Sequence, residues 1–173
     1  MFPEQRRRPN KKVPDESAQK IKRRERFILY APLLIWIGVI FLLSSGQGAS
    51  SRTSLIIRPI LEFLFPAALP ETIDFYHGVI RKFAHFTEYA VLGLLACRAF
   101  AKTHQASLRR FFYLAAILLI FAVAASDEFN QSFNPERTAS PIDVLIDVSG
   151  GLAATAFYYV VIRRDRVETK AAL

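Results

Sequence analysis

The 173-residue sequence predicts an all-α fold: an integral membrane bundle of about four transmembrane helices with an interfacial helix on its outer side. Two observations carry this. The chain is 52% hydrophobic yet holds 23 Lys and Arg with a net charge of +8, and the two populations are segregated, apolar residues in blocks and basic ones between them. A soluble domain scatters such residues, whereas membrane spans with charged flanks separate them. The second is periodic: the polar residues inside the weaker blocks recur at three- and four-residue intervals, so each set shares one helix face.

The elements follow in order. Residues 1–26 hold ten basic residues against four acidic ones, without apolar periodicity and with Pro3 and Pro14, and are expected to form a disordered cytoplasmic tail. Beside a membrane span, such a tail suits anionic lipid better than nucleic acid, and no nucleic-acid partner is expected. Residues 27–43 form an uncharged block at the short end of the roughly 17–25 residues that span a bilayer. It is longer than a cleaved signal peptide's apolar core, and Pro32 falls in its first turns. Residues 52–65 are too short and too charged to cross. They are expected to lie on the outer leaflet, a re-entrant segment being the lesser alternative.

Three further spans are expected at 83–101, 111–126 and 143–162, the third extending into the polar stretch that starts at Asp127. The transmembrane domain is thus 27–162, with 163–173 a second cytoplasmic tail. Cys97, the single cysteine, excludes an internal disulfide and reads as a packing residue. Orientation follows from charge. With both termini inside, 18 of the 23 basic residues are cytoplasmic and 5 outside, which expects a multi-pass cell-membrane protein, N-in and C-in.

That orientation gathers polar groups at the outer level. Asp74, His77, Arg81, His85 and Glu88 form one stripe on the second span and the turns before it. Asp127, Gln131 and Asn134 form another, and Asp143, Asp147, Gly150 and Ala154 a third, whose small residues let a neighbouring helix come close. The candidate pocket comprises Lys82, His85, Glu88, Asp127, Glu128, Gln131, Arg137, Asp143 and Asp147. Arg137, the one basic residue of the last outer loop, is the expected counter-charge to carboxylates of Glu88, Asp143 and Asp147. A polar lock without chemistry is the bland alternative. A metal site on His85, Glu88 and the aspartates is conceivable by ligand type, but no H-E-x-x-H occurs, and neither a metal nor a cofactor is expected. No Ser-His-Asp order or phosphate-cradling glycine loop is present, so catalytic residues stay unassigned and enzyme activity open.

Three motifs carry a resemblance. Phe41-Leu42-Leu43-Ser44-Ser45 closes the first span. Arg81-Lys82-Phe83-Ala84-His85-Phe86-Thr87-Glu88-Tyr89 runs on to Gly93, and Asp127-Glu128-Phe129-Asn130-Gln131 leads through Pro135-Glu136-Arg137 to Asp143, Asp147 and Gly150. Together, over roughly 27–162, they resemble the VanZ-like family of teicoplanin-resistance-associated membrane proteins. The resemblance implies a small helical membrane domain in the cell envelope and a context of glycopeptide susceptibility. Two departures stand out: Glu136 where the family often has Gly, and Asp147 where many members carry Asn. The leading expectation is a pocket for an envelope or lipid-linked headgroup, with Arg137 and Lys82 suited to its phosphate or carboxylate. An intramembrane enzyme with Glu88 or Asp127 as base, or a structural or transport partner of an envelope complex, are the alternatives.

Overall fold

The structure is a computed structural model and describes residues 16–44, 50–132 and 141–171. The described residues form six helices and no strand: α1 (Glu16–Ser44), α2 (Ser50–Leu64), α3 (Pro70–Ala101), α4 (Ala106–Arg110), α5 (Phe112–Gln131) and α6 (Pro141–Ala171). By length and composition three of them can cross a membrane, over Arg23–Ser44, Phe112–Gln131 and Pro141–Ile162. The fourth long helix, α3, touches every other helix in the bundle. Its charges exclude it on hydropathy alone, but its central position lets Arg81 and His85 meet partners on a neighbouring helix.

Cross-helix contacts set the directions. Tyr30 hydrogen-bonds Thr103 and the Trp36 indole donates to the Glu88 carbonyl, so α1 and α3 are antiparallel. Arg81 meets Asp143, His85 meets Asp147 and Cys97 meets Thr155, so α3 and α6 are parallel. Gln131 at the end of α5 reaches Ser44 at the end of α1. Helices α1 and α5 therefore run one way and α3 and α6 the other. Among the described residues, α1 and α6 flank the α3–α5 pair without touching each other.

Sequence accounts for the packing. On α3, Tyr89, Leu92, Gly93, Ala96 and Cys97 repeat at three and four residues and are all buried, joining Ile40, Ala116, Ile120 and Ala124 in one core. Glycines bring the helices together. A Cβ on Gly93 would stand 2.7 Å from the Gly151 carbonyl oxygen, and one on Gly151 would stand 2.6 Å from the Ile120 side chain. One on Gly150 would collide with the Phe86 carbonyl, so the Gly150–Ala154 face is buried against α3 as its small residues lead one to expect, while Phe157 is exposed. At the far end of the bundle Phe112, Tyr113, Tyr158 and Tyr159 stack edge to face, an arrangement aromatic quadrupoles favour.

Helix boundaries depart from the sequence reading at both ends. Residues 16–26, expected as unstructured tail, are helical, and α6 continues to Ala171 through the expected second tail. Past Pro14 nothing in Glu16–Arg26 breaks a helix, and Gln, Lys, Arg and Glu propagate one already nucleated by an apolar span. Pro32 consequently lies mid-helix and not in the first turns, where its ring denies the Ile28 carbonyl a donor. α5 does run on through Asp127 to Gln131, as crossing requires. α3 starts at Pro70, a favoured first-turn position, with Glu71 at its positive end and Arg98 at its negative end.

Helix α2 forms where an interfacial segment is expected. Leu61 is buried, among the described residues α2 packs on α3 alone, and Arg58, which also reaches Glu62 on its own helix at 3.0 Å, ties α2 to α3 through Asp74 at 3.2 Å. Leu55, Ile56, Ile60 and Phe63, the last 84% exposed, present the apolar remainder outward. In water that surface would be costly, and against acyl chains it is favourable.

Candidate functional site

The site lies at the end of the bundle where α1 and α5 finish and α3 and α6 begin. On α3, Arg81 and His85 stand one turn apart, and on α6 so do Asp143 and Asp147. Because these helices run parallel, the pairs meet as two rungs. Arg81 Nη2 lies 3.4 Å from Asp143 Oδ2, half-exposed, and His85 Nδ1 lies 3.2 Å from Asp147 Oδ1, deeper in. The imidazole tautomer with its proton on Nδ1 donates to Asp147, fixing the ring.

α5 brings the third carboxylate. Asp127 and Gln131 are one turn apart on its buried face, and Gln131 Nε2 donates to Asp127 Oδ2 at 2.8 Å and to Ser44 Oγ at 2.9 Å. Ser44 approaches the same carboxylate, while Asp127 Oδ1 has no hydrogen-bond partner among the described residues. Tyr89, one turn beyond His85, is wholly buried, and its hydroxyl also lacks a partner among the described residues. Asp127 and Asp147 are each 2% exposed. His85, Asp127 and Asp147 each offer a ligand atom, all within 4.8 Å of one another, so these three could hold a metal ion.

A model of the VanZ/LLP1 family matches residues 27–163. The chain belongs to this family. Comparison with curated proteins and with solved structures gives no match.

Of the residues singled out in the VanZ/LLP1 sequence, His85, Asp127, Gln131 and Asp147 come together, with Asp143 one turn nearer the end of the bundle. Glu88 and Glu128 are half-buried beside Tyr89, outside the group of three, and Lys82 is exposed. Arg137, the expected counter-charge, lies outside the described residues, as does Asn134. The partners that face Asp143 and Asp147 among the described residues are the Arg81 guanidinium and the His85 imidazole, supplied by α3. The carboxylate whose oxygen lies within 4.8 Å of both the His85 and Asp147 ligand atoms is that of Asp127, brought by α5.

Ser44 and Tyr89 belong to this cluster without having been singled out. Both had a signal: Ser44 closes an uncharged apolar block at the level of the other polar groups, and Tyr89 is four residues after His85. The described clefts lie elsewhere. One runs along the basic start of α1 from Lys20 to Leu34, and another lies between Tyr30 and Thr103.

Proposed function

We propose that this VanZ/LLP1 protein binds the anionic headgroup of an envelope or lipid-linked molecule at the Ser44 end of its bundle, and through it influences glycopeptide susceptibility. The observation that carries the reading is the convergence of polar side chains from four helices on one membrane level: Ser44, His85, Gln131 and Asp147 with Asp127 between them. Polar groups at such depth are costly in lipid and are kept where they contact something. The mouth of the site supplies the recognition chemistry. Lys82 is exposed, and Arg81 is held by Asp143 at 3.4 Å, a loose bond that its planar guanidinium can exchange for a bidentate phosphate.

The reading places the protein in the cell membrane with both termini cytoplasmic and this end outside, on the basic-residue asymmetry. The exposed Lys20, Arg23, Arg24 and Arg26 then sit at the inner leaflet against anionic lipid. The test is native mass spectrometry of the full-length protein in nanodiscs doped with a polyprenyl phosphate. Retention of that lipid, weakened in steps by Lys82→Ala and Arg81→Gln, supports the reading; retention no better than for a neutral polyprenol refutes it.

The His85–Asp147 pair favours a second reading, acid–base catalysis on the headgroup, since a carboxylate-oriented imidazole is a common general base. Turnover of the bound lipid that disappears with His85→Gln, while its retention persists, would select it.

A further inference from the structure

Two carboxylates, on α5 and α6, are buried at membrane depth around a single imidazole. Arg81, one turn before His85 on α3, is engaged by Asp143. Among the described residues the His85 imidazole is the side-chain partner of Asp147, and Asp127 is met by the neutral Gln131 and Ser44. Buried charges of one sign are strongly disfavoured without a counter-ion. Asp127 makes the same demand in hydrogen-bonding terms: its Oδ1 lacks a partner among the described residues, on a residue that is only 2% exposed. The Tyr89 hydroxyl, also unpartnered among the described residues, is buried one turn along α3 from His85.

We propose that His85, Asp127 and Asp147 bind one divalent transition-metal ion of the Zn2+ or Mn2+ class. The charge fits, since a 2+ ion balances two carboxylates around a neutral imidazole. The ligand set fits as well: one ring nitrogen with two carboxylate oxygens suits borderline ions, where Ca2+ and Mg2+ prefer oxygen alone. So does the geometry. Ligands at about 2.0–2.1 Å from a tetrahedral ion stand about 3.3 Å apart, and His85 Nδ1 and Asp147 Oδ1 are at 3.2 Å, with Asp127 inside the 4.8 Å envelope. Gln131 fixes the orientation of Asp127 by holding its other oxygen, the kind of outer hydrogen bond that tunes metal sites.

The experiment uses the tag-free full-length protein in nanodiscs of neutral lipid, stripped with EDTA and titrated with ZnCl2, MnCl2 or CoCl2 alone. Because no headgroup is present, the result does not depend on the lipid-binding reading. One equivalent of ion should bind saturably, and Co2+ should give visible d–d absorption of a nitrogen- and oxygen-ligated ion. Asp127→Asn and His85→Gln should each lower affinity at least tenfold and remove the band. Asp147→Asn should weaken binding likewise, since it also removes one of the two balancing charges, and Asp143→Asn should leave it unchanged. Size-exclusion profile and helical circular dichroism identify any variant that has not folded, and the remaining substitution then decides. No saturable binding to the native protein, or equal binding in the folded Asp127 and His85 variants, overturns the proposal.

Discussion

Gly150→Ala tests the packing on which the site depends. In a helix interior, Gly to Ala ordinarily stabilises by about 0.5–1 kcal/mol because the backbone loses less entropy on folding. Gly78 supplies that baseline, since a Cβ there meets nothing within 4 Å. At Gly150 the added Cβ runs into the Phe86 carbonyl, which is backbone and cannot rotate away as a side-chain tip can. Helices α3 and α6 must separate, and overpacking of this kind costs about 1–3 kcal/mol. Both substitutions gain the same propensity, so their difference isolates the clash. Gly150→Ala should therefore melt below Gly78→Ala, by roughly 2–4 °C per kcal/mol for a domain of this size. Separation at Gly150 also acts one turn from Asp147, so Gly150→Ala should weaken whatever the polar cluster binds while Gly78→Ala does not. The assay is thermal unfolding of the purified proteins in one detergent, followed by circular dichroism. Equal melting temperatures would show that α3 and α6 do not cross closely at Gly150, and the two-rung arrangement would fail with it.

Three other outcomes are expected. In a Cys97→Ala background, an impermeant thiol reagent on intact cells should label cysteine placed at Ala67 and not at Gln105; the reverse pattern would invert the proposed orientation. His85→Ala leaves Asp147 buried without its partner and should cost about 3–5 kcal/mol, whereas Asp147→Asn keeps an acceptor for the imidazole and should cost less than half as much. Chemical denaturation of the two variants orders them, and equal losses would show that His85 does not bond Asp147. Gln131→Ala strips Asp127 Oδ2 of its donor and should destabilise by about 1–3 kcal/mol, while Gln105→Ala, on the exposed loop, should be neutral in the same melt.

Most of the fold is legible because each apolar block and each polar stripe is a local pattern. The 3- and 4-residue spacing of Arg81, His85 and Glu88 declares one helix face, and the same spacing of Asp143, Asp147 and Gly150 declares another. The ends of α1 and α6 were harder to read, since basic residues propagate a helix as well as they flank one. Which stripes meet is a different kind of information. Asp127 joins His85 and Asp147 through the packing of α3, α5 and α6, which rests on contacts between residues far apart in sequence, such as Gly151 on α6 against Ile120 on α5.

The charges of α3 make sense on these terms. Taken alone, a helix with Asp74, Arg81, His85 and Glu88 on one stripe is a poor transmembrane segment, and hydropathy leaves it out. Surrounded by α1, α5 and α6, it need not meet lipid along that stripe, and the expense of desolvating its ionisable groups is offset by partners at fixed positions: Asp143 for Arg81 and Asp147 for His85. The apolar helices supply the insertion energy and the polar one supplies the site. A bundle built this way needs small residues where the polar helix is gripped, which is where Gly93, Gly150 and Gly151 are found. The arrangement further requires that any buried carboxylate without a partner on α3 be satisfied from outside the described side chains. Asp127 Oδ1 is that group, and the proposed metal ion is what would meet it.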